Sequence, residues 1–325
     1  MFVVGGESLI DLKAEVTVEG GRMIGRDGEG QIVMTAHPGG SPYNCAIALA
    51  KLGNQTGFLC PISADAFGDY LTGPLEEAGV TALLGERVKD YTTLAVVNFD
   101  DRHNARYGFY RAADGAIEAD SAIAALPQAL ELYQIGGFCP IVPREAEAWL
   151  EVVDAAIDRG ATISIDPNVR PSLVDDFDGY KRRLQLFLER AHLVKLSEED
   201  IAALAPGASL DDYARQLLDG PACRLVVVTL GDQGSRAFTR SGTASAGIHR
   251  PAVFGDTVGA GDSLMAGVIT WLHDHECLAP DAMARLDDTA LADMLRFGAV
   301  VAGINCGRKG CKPPTRAEVE AVLRG

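Results

Sequence analysis

Six short apolar runs recur along the chain, each separated from the next by room for a helix: Phe2–Val4, Gly57–Cys60, Leu132–Ile135, Thr162–Ile165, Leu193–Leu196 and Leu225–Leu230. They are too short for core helices and too continuously apolar for strands with a wet face. Each therefore predicts a strand buried on both sides. Between them, Tyr43–Leu52, Ala66–Ala78, Arg144–Arg159, Tyr180–Glu189 and Leu210–Leu218 read as amphipathic helices. Strand and helix in alternation predict an α/β fold of three layers, α/β/α, around a mostly parallel central sheet. The last third turns helical, over Asp262–Leu272, Thr289–Ile304 and Arg316–Leu323.

Two stretches break this rhythm. Glu15–Glu19, Ile32–Ala36, Thr93–Asn98 and Ala105–Tyr110 alternate apolar and polar positions. Period two predicts antiparallel strands with one solvated face. Gly20–Gly30 holds five glycines and reads as a mobile hairpin tip. The expected division is an α/β body of residues 1–12, 37–90 and 111–325, with a small β-sheet lid of residues 13–36 and 91–110.

Composition narrows the function classes. The 325 residues are 47% hydrophobic, enough for a large core, and 45 acidic against 29 basic residues give a formal charge of −16. Such acidity, with no run of five Lys or Arg, argues against nucleic acid or an anionic membrane as partner. The seven cysteines lack CxxC spacing and several sit in apolar stretches, which predicts reduced thiols. His273 and His275 are two apart and would point to different sides of a helix, a poor metal pair. Met1–Gly6 lacks the basic flank and the length of a signal peptide. A soluble, cytoplasmic protein is expected.

The most informative run is Gly255-Asp-Thr-Val-Gly-Ala-Gly-Asp262, which leads into an apolar helix. The small residues Gly259, Ala260 and Gly261 let backbone N–H groups converge at a helix start. The first donors there have no intrahelical partner and the dipole is positive, so anions bind. Locally, Asp262 has two readings. It is either a carboxylate at a helix N-terminus or a base that takes a proton from a hydroxyl while the amides hold a transferring phosphoryl group.

The full string Asp-Thr-Val-Gly-Ala-Gly-Asp resembles the signature of the ribokinase-like (PfkB-type) carbohydrate kinases, in which the last Asp is the base. A second match, His37-Pro-Gly-Gly-Ser-Pro-Tyr-Asn44 before an alanine-rich helix, resembles the family's other signature. There Gly39 and Gly40 let backbone approach the sugar, and Asn44 offers a donor and an acceptor. Within Gly5-Gly-Glu-Ser-Leu-Ile-Asp11, Asp11 matches an acidic residue that grips sugar hydroxyls. Ile165-Asp-Pro-Asn-Val-Arg170 is similar to a segment of fructokinase and ketodeoxygluconate kinase members, which implies Asn168 and Arg170 at substrate or phosphate. Phe109-Tyr-Arg111 resembles sugar contacts of the same branch.

On the nucleotide side, Lys195-Leu-Ser-Glu-Glu-Asp200 stands where the family commonly has Asn-x-x-Glu. Ser197 and Asp200 replace those two residues, and Ser-x-x-Asp also reads as a capping box. Thr229-Leu-Gly-Asp-Gln-Gly234 resembles a nucleotide turn that includes Gly231 and Gly234. Asn305–Thr315 resembles the loop that walls the adenine. Asp256 beside that loop is implied as part of a monovalent-cation site, and Asp200 as a residue on the magnesium side.

The resemblance implies an ATP- and Mg2+-dependent kinase, with K+ as an activator, phosphorylating a primary hydroxyl of a small sugar. Fructose is expected first, with ketodeoxygluconate, ribose and nucleosides as alternatives. An exposed lid edge offers a surface for a homodimer. A dehydrogenase would need G-x-G-x-x-G after the first strand, which Gly5-Gly6-Glu7 does not supply. A non-catalytic sugar-binding relative would be expected to lose Asp262 or the glycines before it, and both are present.

Overall fold

The computed structural model describes residues 1–19, 22–25, 33–99 and 105–324. Its strands are β1 (Phe2–Gly5), β2 (Leu9–Glu19), β3 (Arg22–Gly25), β4 (Val33–Gly39), β5 (Thr56–Leu59), β6 (Thr81–Ala82), β7 (Leu94–Phe99), β8 (Ala105–Tyr110), β9 (Leu132–Gly136), β10 (Thr162–Asp166), β11 (Leu193–Ser197), β12 (Leu225–Thr229), β13 (Ser235–Phe238) and β14 (Thr243–Ala246). The helices are α1 (Ser41–Lys51), α2 (Ala66–Ala78), α3 (Ala119–Ala125), α4 (Pro143–Asp158), α5 (Phe177–Leu188), α6 (Glu198–Leu204), α7 (Leu210–Leu218), α8 (Ala260–Asp274), α9 (Pro280–Met283), α10 (Asp288–Cys306) and α11 (Arg316–Arg324).

Nine strands form the central sheet in the order β14-β13-β12-β11-β10-β9-β1-β5-β6. Seven of them run parallel, and the hairpin β13–β14 adds an antiparallel edge beside β12. The apolar runs are buried from both sides because alternate residues feed two cores. Phe2, Val4, Leu225 and Val227 face a cluster with α1, α2, α8 and α10, while Val3, Val226 and Val228 face one with α4, α5 and α7. α10 is long and apolar enough to cross a membrane by length and composition. Its Leu291, Met294, Leu295 and Val301 are instead buried in the first core.

The second sheet has the order β3-β2-β7-β8, with β4 on β2. Two expectations change here. β2 and β7 pair in parallel, Ile10 opposite Leu94, because alternation reveals a wet face but not strand direction. The sheet also reaches further into the chain than residues 13–36. β2 starts at Leu9 and pairs with β4 as far as Gly39, so Asp11 sits on a strand opposite His37. Of the glycine-rich tip, Arg22–Gly25 forms β3, and the rest lies outside the described residues. All seven cysteines are free thiols.

Because β1, β9, β10, β11 and β12 run in the same direction, their carboxyl ends bring Glu7, Phe138, Asp166–Arg170, Ser197 and Thr229 to one rim of the sheet. Loops at such a rim are the usual place for ligands in α/β folds.

Candidate active site

Two helix starts meet above that rim. α1 begins after Gly40 (φ 109°) and α8 after Gly259 (φ 71°), and neither has a side-chain cap. Both positions need glycine for their left-handed backbone. The first intrahelical bond of α8 runs from Ser263 N to Gly259 O (2.9 Å), and Ala260 N donates to Thr257 O (3.1 Å). The Gly261 and Asp262 amides precede the intrahelical ladder and point where an anion would sit.

The carboxylate of Asp262 is held by the first turn of α1. Ser41 Oγ donates to Oδ1 (2.7 Å) and Asn44 Nδ2 donates to Oδ2 (2.9 Å). Burial raises the Asp262 carboxyl above its ordinary value, while the Ser41 bond, Lys195, the Asn44 bond and Arg170 oppose the rise. The result is an ionisable base in a site whose nearby cations are Lys195 and Arg170.

Lys195 lies under the helix start rather than out on a nucleotide surface. Its Nζ donates to Asp166 Oδ2 at 2.7 Å, with both side chains buried. A Cβ on Gly261 would come within 2.9 Å of that nitrogen, so glycine here lets the ammonium close on the amide cradle. Burial works against the Lys195 charge, but Asp166, Asp200 and Asp262 hold its pKa above the ordinary value. Burial pushes Asp166 up to about 6 against the pull of Lys195. Its Oδ1 has no hydrogen-bond partner.

The substrate-side residues divide. Asp11, raised by burial, sits at the root of the second sheet against Gly39, where a Cβ would run into Asp11 Oδ2. Asn168 occupies the left-handed region (φ 44°) and precedes the exposed Arg170. Asn44, expected on the sugar, donates through Nδ2 to Asp262. Arg111 is not free for substrate. Its guanidinium donates to Asp114 (2.6 Å) and Glu145 (2.7 Å) and lies over the Phe138 ring, locking the end of β8 to α4.

On the nucleotide side, Thr229 ends β12 beside Ser197, and Gly231 and Gly234 shape the turn into β13 with φ of 57° and 96°. The expectation that Asn305 touches nucleotide is corrected. It is fully buried, its Nδ2 donates to Val258 O (2.8 Å), and its Oδ1 accepts from Lys312 N (2.8 Å). Asn305 therefore ties the start of α8 to the loop before α11. Asp256 does similar work, accepting from Val258 N (2.9 Å) and Gly310 N (2.8 Å). Asp200 completes a capping box with Ser197, and its other oxygen accepts from Val169 N (2.7 Å). Both oxygens of Asp200 thus brace backbone, and among the described residues no cluster of three His, Cys, Asp or Glu could hold a metal. This donor set fits magnesium that arrives on phosphates and keeps its waters.

Sequence reasoning missed Glu7, Ser41 and Asp166 as site residues, although all three stand inside the quoted motifs. Glu7 is buried, accepts from Ser41 N (3.1 Å) and Phe138 N (3.0 Å), and is raised to about 7 by burial.

A carboxylate beside a helix-start amide cradle, with a buried ammonium beneath it, is the equipment of an enzyme that moves a phosphoryl group to an alcohol. A family model described as pfkB family carbohydrate kinase matches residues 3–318. Probable fructokinase-4 of Arabidopsis thaliana is 30% identical over 332 residues, spanning 100% of this chain and 97% of that protein. Fructokinase-2 of Solanum lycopersicum is 30% identical over 336 residues, spanning 100% and 96%. Among solved structures, the fructokinase with bound ATP from Xylella fastidiosa is similar with a TM-score of 0.82 and 25% identity, over 99% of this chain and 98% of that one. The chain belongs to the pfkB family of carbohydrate kinases, and its fold is the ribokinase-like one expected from the motifs.

Proposed function

We propose that the protein transfers the γ-phosphoryl group of ATP to the primary hydroxyl of fructose. The observation that carries the chemistry is Asp262, its carboxylate anchored by α1 and its own helix start open to an anion. Asp262 takes the hydroxyl proton, the sugar oxygen bonds to the γ-phosphorus, and the bridging oxygen leaves with ADP. The Gly261 and Asp262 amides and Lys195 stabilise the charge that spreads over the phosphoryl oxygens. Magnesium enters with the nucleotide.

Fructose is favoured by the similarity to fructokinases along the whole chain. An acid sugar such as ketodeoxygluconate would be best served by a pair of guanidinium groups around its carboxylate. Arg111 is already committed to Asp114 and Glu145, which leaves Arg170 alone. Asp11, at the root of the second sheet, suits a pair of neutral hydroxyls. We further propose activation by potassium near the 306–310 loop that Asp256 secures, pairing of two copies through the β8 edge where Tyr110 is exposed, and a cytoplasmic location.

A coupled ADP-release assay over fructose, ribose, adenosine and ketodeoxygluconate tests the reading, run in sodium and in potassium at equal ionic strength. The expected kcat/KM for fructose is at least ~10-fold above the others, a margin of about 1.4 kcal/mol. Preference for the acid sugar, abolished in Arg170→Ala, would move the substrate assignment. Equal rates in the two salts would remove potassium.

A further inference from the structure

We propose that Ser41 is a positioning residue for the transfer: its hydroxyl holds Oδ1 of Asp262 in the place from which the sugar's proton is taken, and gives up that place when the sugar arrives. This rests on the reading of Asp262 as the base.

The two bonds on Asp262 are chemically unequal. Asn44 reaches Oδ2 through an amide N–H, which can only donate. Ser41 reaches Oδ1 through a hydroxyl, which can rotate and accept as well as donate. When the acceptor alcohol brings its O–H to Oδ1, Ser41 can turn and take a hydrogen bond from the sugar or solvent, leaving no group unpaired. The Asn44 N–H can only go on donating, so Oδ2 is the anchor and Oδ1 the oxygen that receives the proton. In the step itself the sugar O–H bond breaks, its proton passes to Oδ1, the sugar O–P bond forms, and the P–O bond to ADP breaks with its electron pair.

Ser41 is itself fixed from below. Its N–H donates to Glu7 Oε1, and Glu7 Oε2 accepts from Phe138 N at the end of β9. Glu7 is 3% exposed, so this strut is shielded from water. The hydroxyl is therefore held at Asp262 by a contact that joins the ends of β1, β9 and α1. Several other groups face Asp262. Lys195 of β11 and Arg170 after β10 favour its charge, and Asp166, Cys45 and Cys311 couple to it with the opposite sign. None of these is altered by a change at Ser41.

The test compares Ser41→Ala, Ser41→Cys and Ser41→Thr with the unaltered enzyme, with Asp262→Asn as the check on the base. Removing one hydrogen bond from a carboxylate favours its protonated form. The acid limb of kcat/KM should move up by about one pH unit in the Ala and Cys variants. At neutral pH kcat should fall about tenfold, with sugar KM within about twofold, and Thr should restore the limb by keeping a hydroxyl. An unmoved limb in both folded Ala and Cys variants, or a loss wholly in KM, overturns the proposal. Turnover retained by Asp262→Asn would overturn the base reading and this proposal with it. A silent Asp262→Asn beside a wild-type Ser41→Ala overturns only the role of Ser41.

Discussion

The helix starts of this molecule are closed in different ways. α2, α5, α6, α7 and α10 are each closed by their own N-cap side chain: Asp65, Asp176, Ser197, Ser209 and Asp287. α1 and α8, the two that meet at the site, start on glycine without one. Even these two differ. The first amide of α1 is taken by Glu7, Pro42 has none to give, and its Ser41 and Asn44 side chains reach across to Asp262. α8, by contrast, has the Gly261 and Asp262 amides ahead of its first intrahelical bond. A capped start is a device for stability. An uncapped one costs stability locally, and α3, α4 and α9 also start without a side-chain cap, so what sets α8 apart is its glycine start with amides left open at the rim of the site.

The largest test of this comparison is Asp262→Asn. Loss of the base predicts a fall in kcat of at least ~10²-fold, while the Gly261 amide and Lys195 remain to bind nucleotide. The measurement is turnover beside nucleotide affinity by titration calorimetry. A variant that lost nucleotide binding and turnover together would mean that the carboxylate builds the cradle rather than acting beside it.

The contrast also explains how much could be read without coordinates. The body was legible because strands buried on both faces leave continuous apolar runs, and α1, α2, α4, α5 and α7 between them kept their period, whereas the seven-residue α3 was too short to show one. The Ser197–Asp200 capping box was legible because both partners lie within one turn. The site was legible only in part. Glu7 meets partners 34 and 131 residues away, and Ser41 meets Asp262 across 221 residues, so no local pattern announces either contact. Asn305 looked like a nucleotide contact because its loop resembles one, yet an amide with both ends spent on backbone is a strut. The hairpin β13–β14 went unseen because Ser235–Phe238 and Thr243–Ala246 are four-residue strands in which polar residues interrupt any apolar run.

A smaller effect separates the start of α1 from that of α8 through pH. Glu7 closes α1 as a buried carboxyl raised to about 7, whereas in the unfolded chain it titrates near 4.5. A carboxyl raised by folding contributes stability that is fully present below its unfolded pKa and is lost as pH rises through about 7. Glu7→Gln removes that titration. Between about pH 5.5 and 8 the wild-type enzyme should lose about 2 kcal/mol more stability than the variant, whatever the variant's absolute midpoint. Thermal unfolding of both across that range is the measurement, and parallel curves would mean that Glu7 is not the group that titrates. Asp166 and Asp262 are also raised, but they are present in both proteins and cancel in the comparison.

The smallest effect tests the capped class. Asp287 accepts from Ala290 N at 3.0 Å at the exposed start of α10, so Asp287→Ala strips one cap and should cost about 1 kcal/mol. α10 packs along α8, where a Cβ on Gly267 would meet the Gly298 Cα at 2.8 Å, so the two backbones are close to touching. This makes α10 a demanding control. If helix starts act locally, the loss stays in the fraying first turn of α10, far along the chain from Gly259, and kcat is unchanged while urea unfolding shifts to lower concentration. If kcat falls as well, strain at one helix start travels through the α8–α10 contact to Asp262. The division between structural and working helix starts would then have to be redrawn as a property of the helix pair.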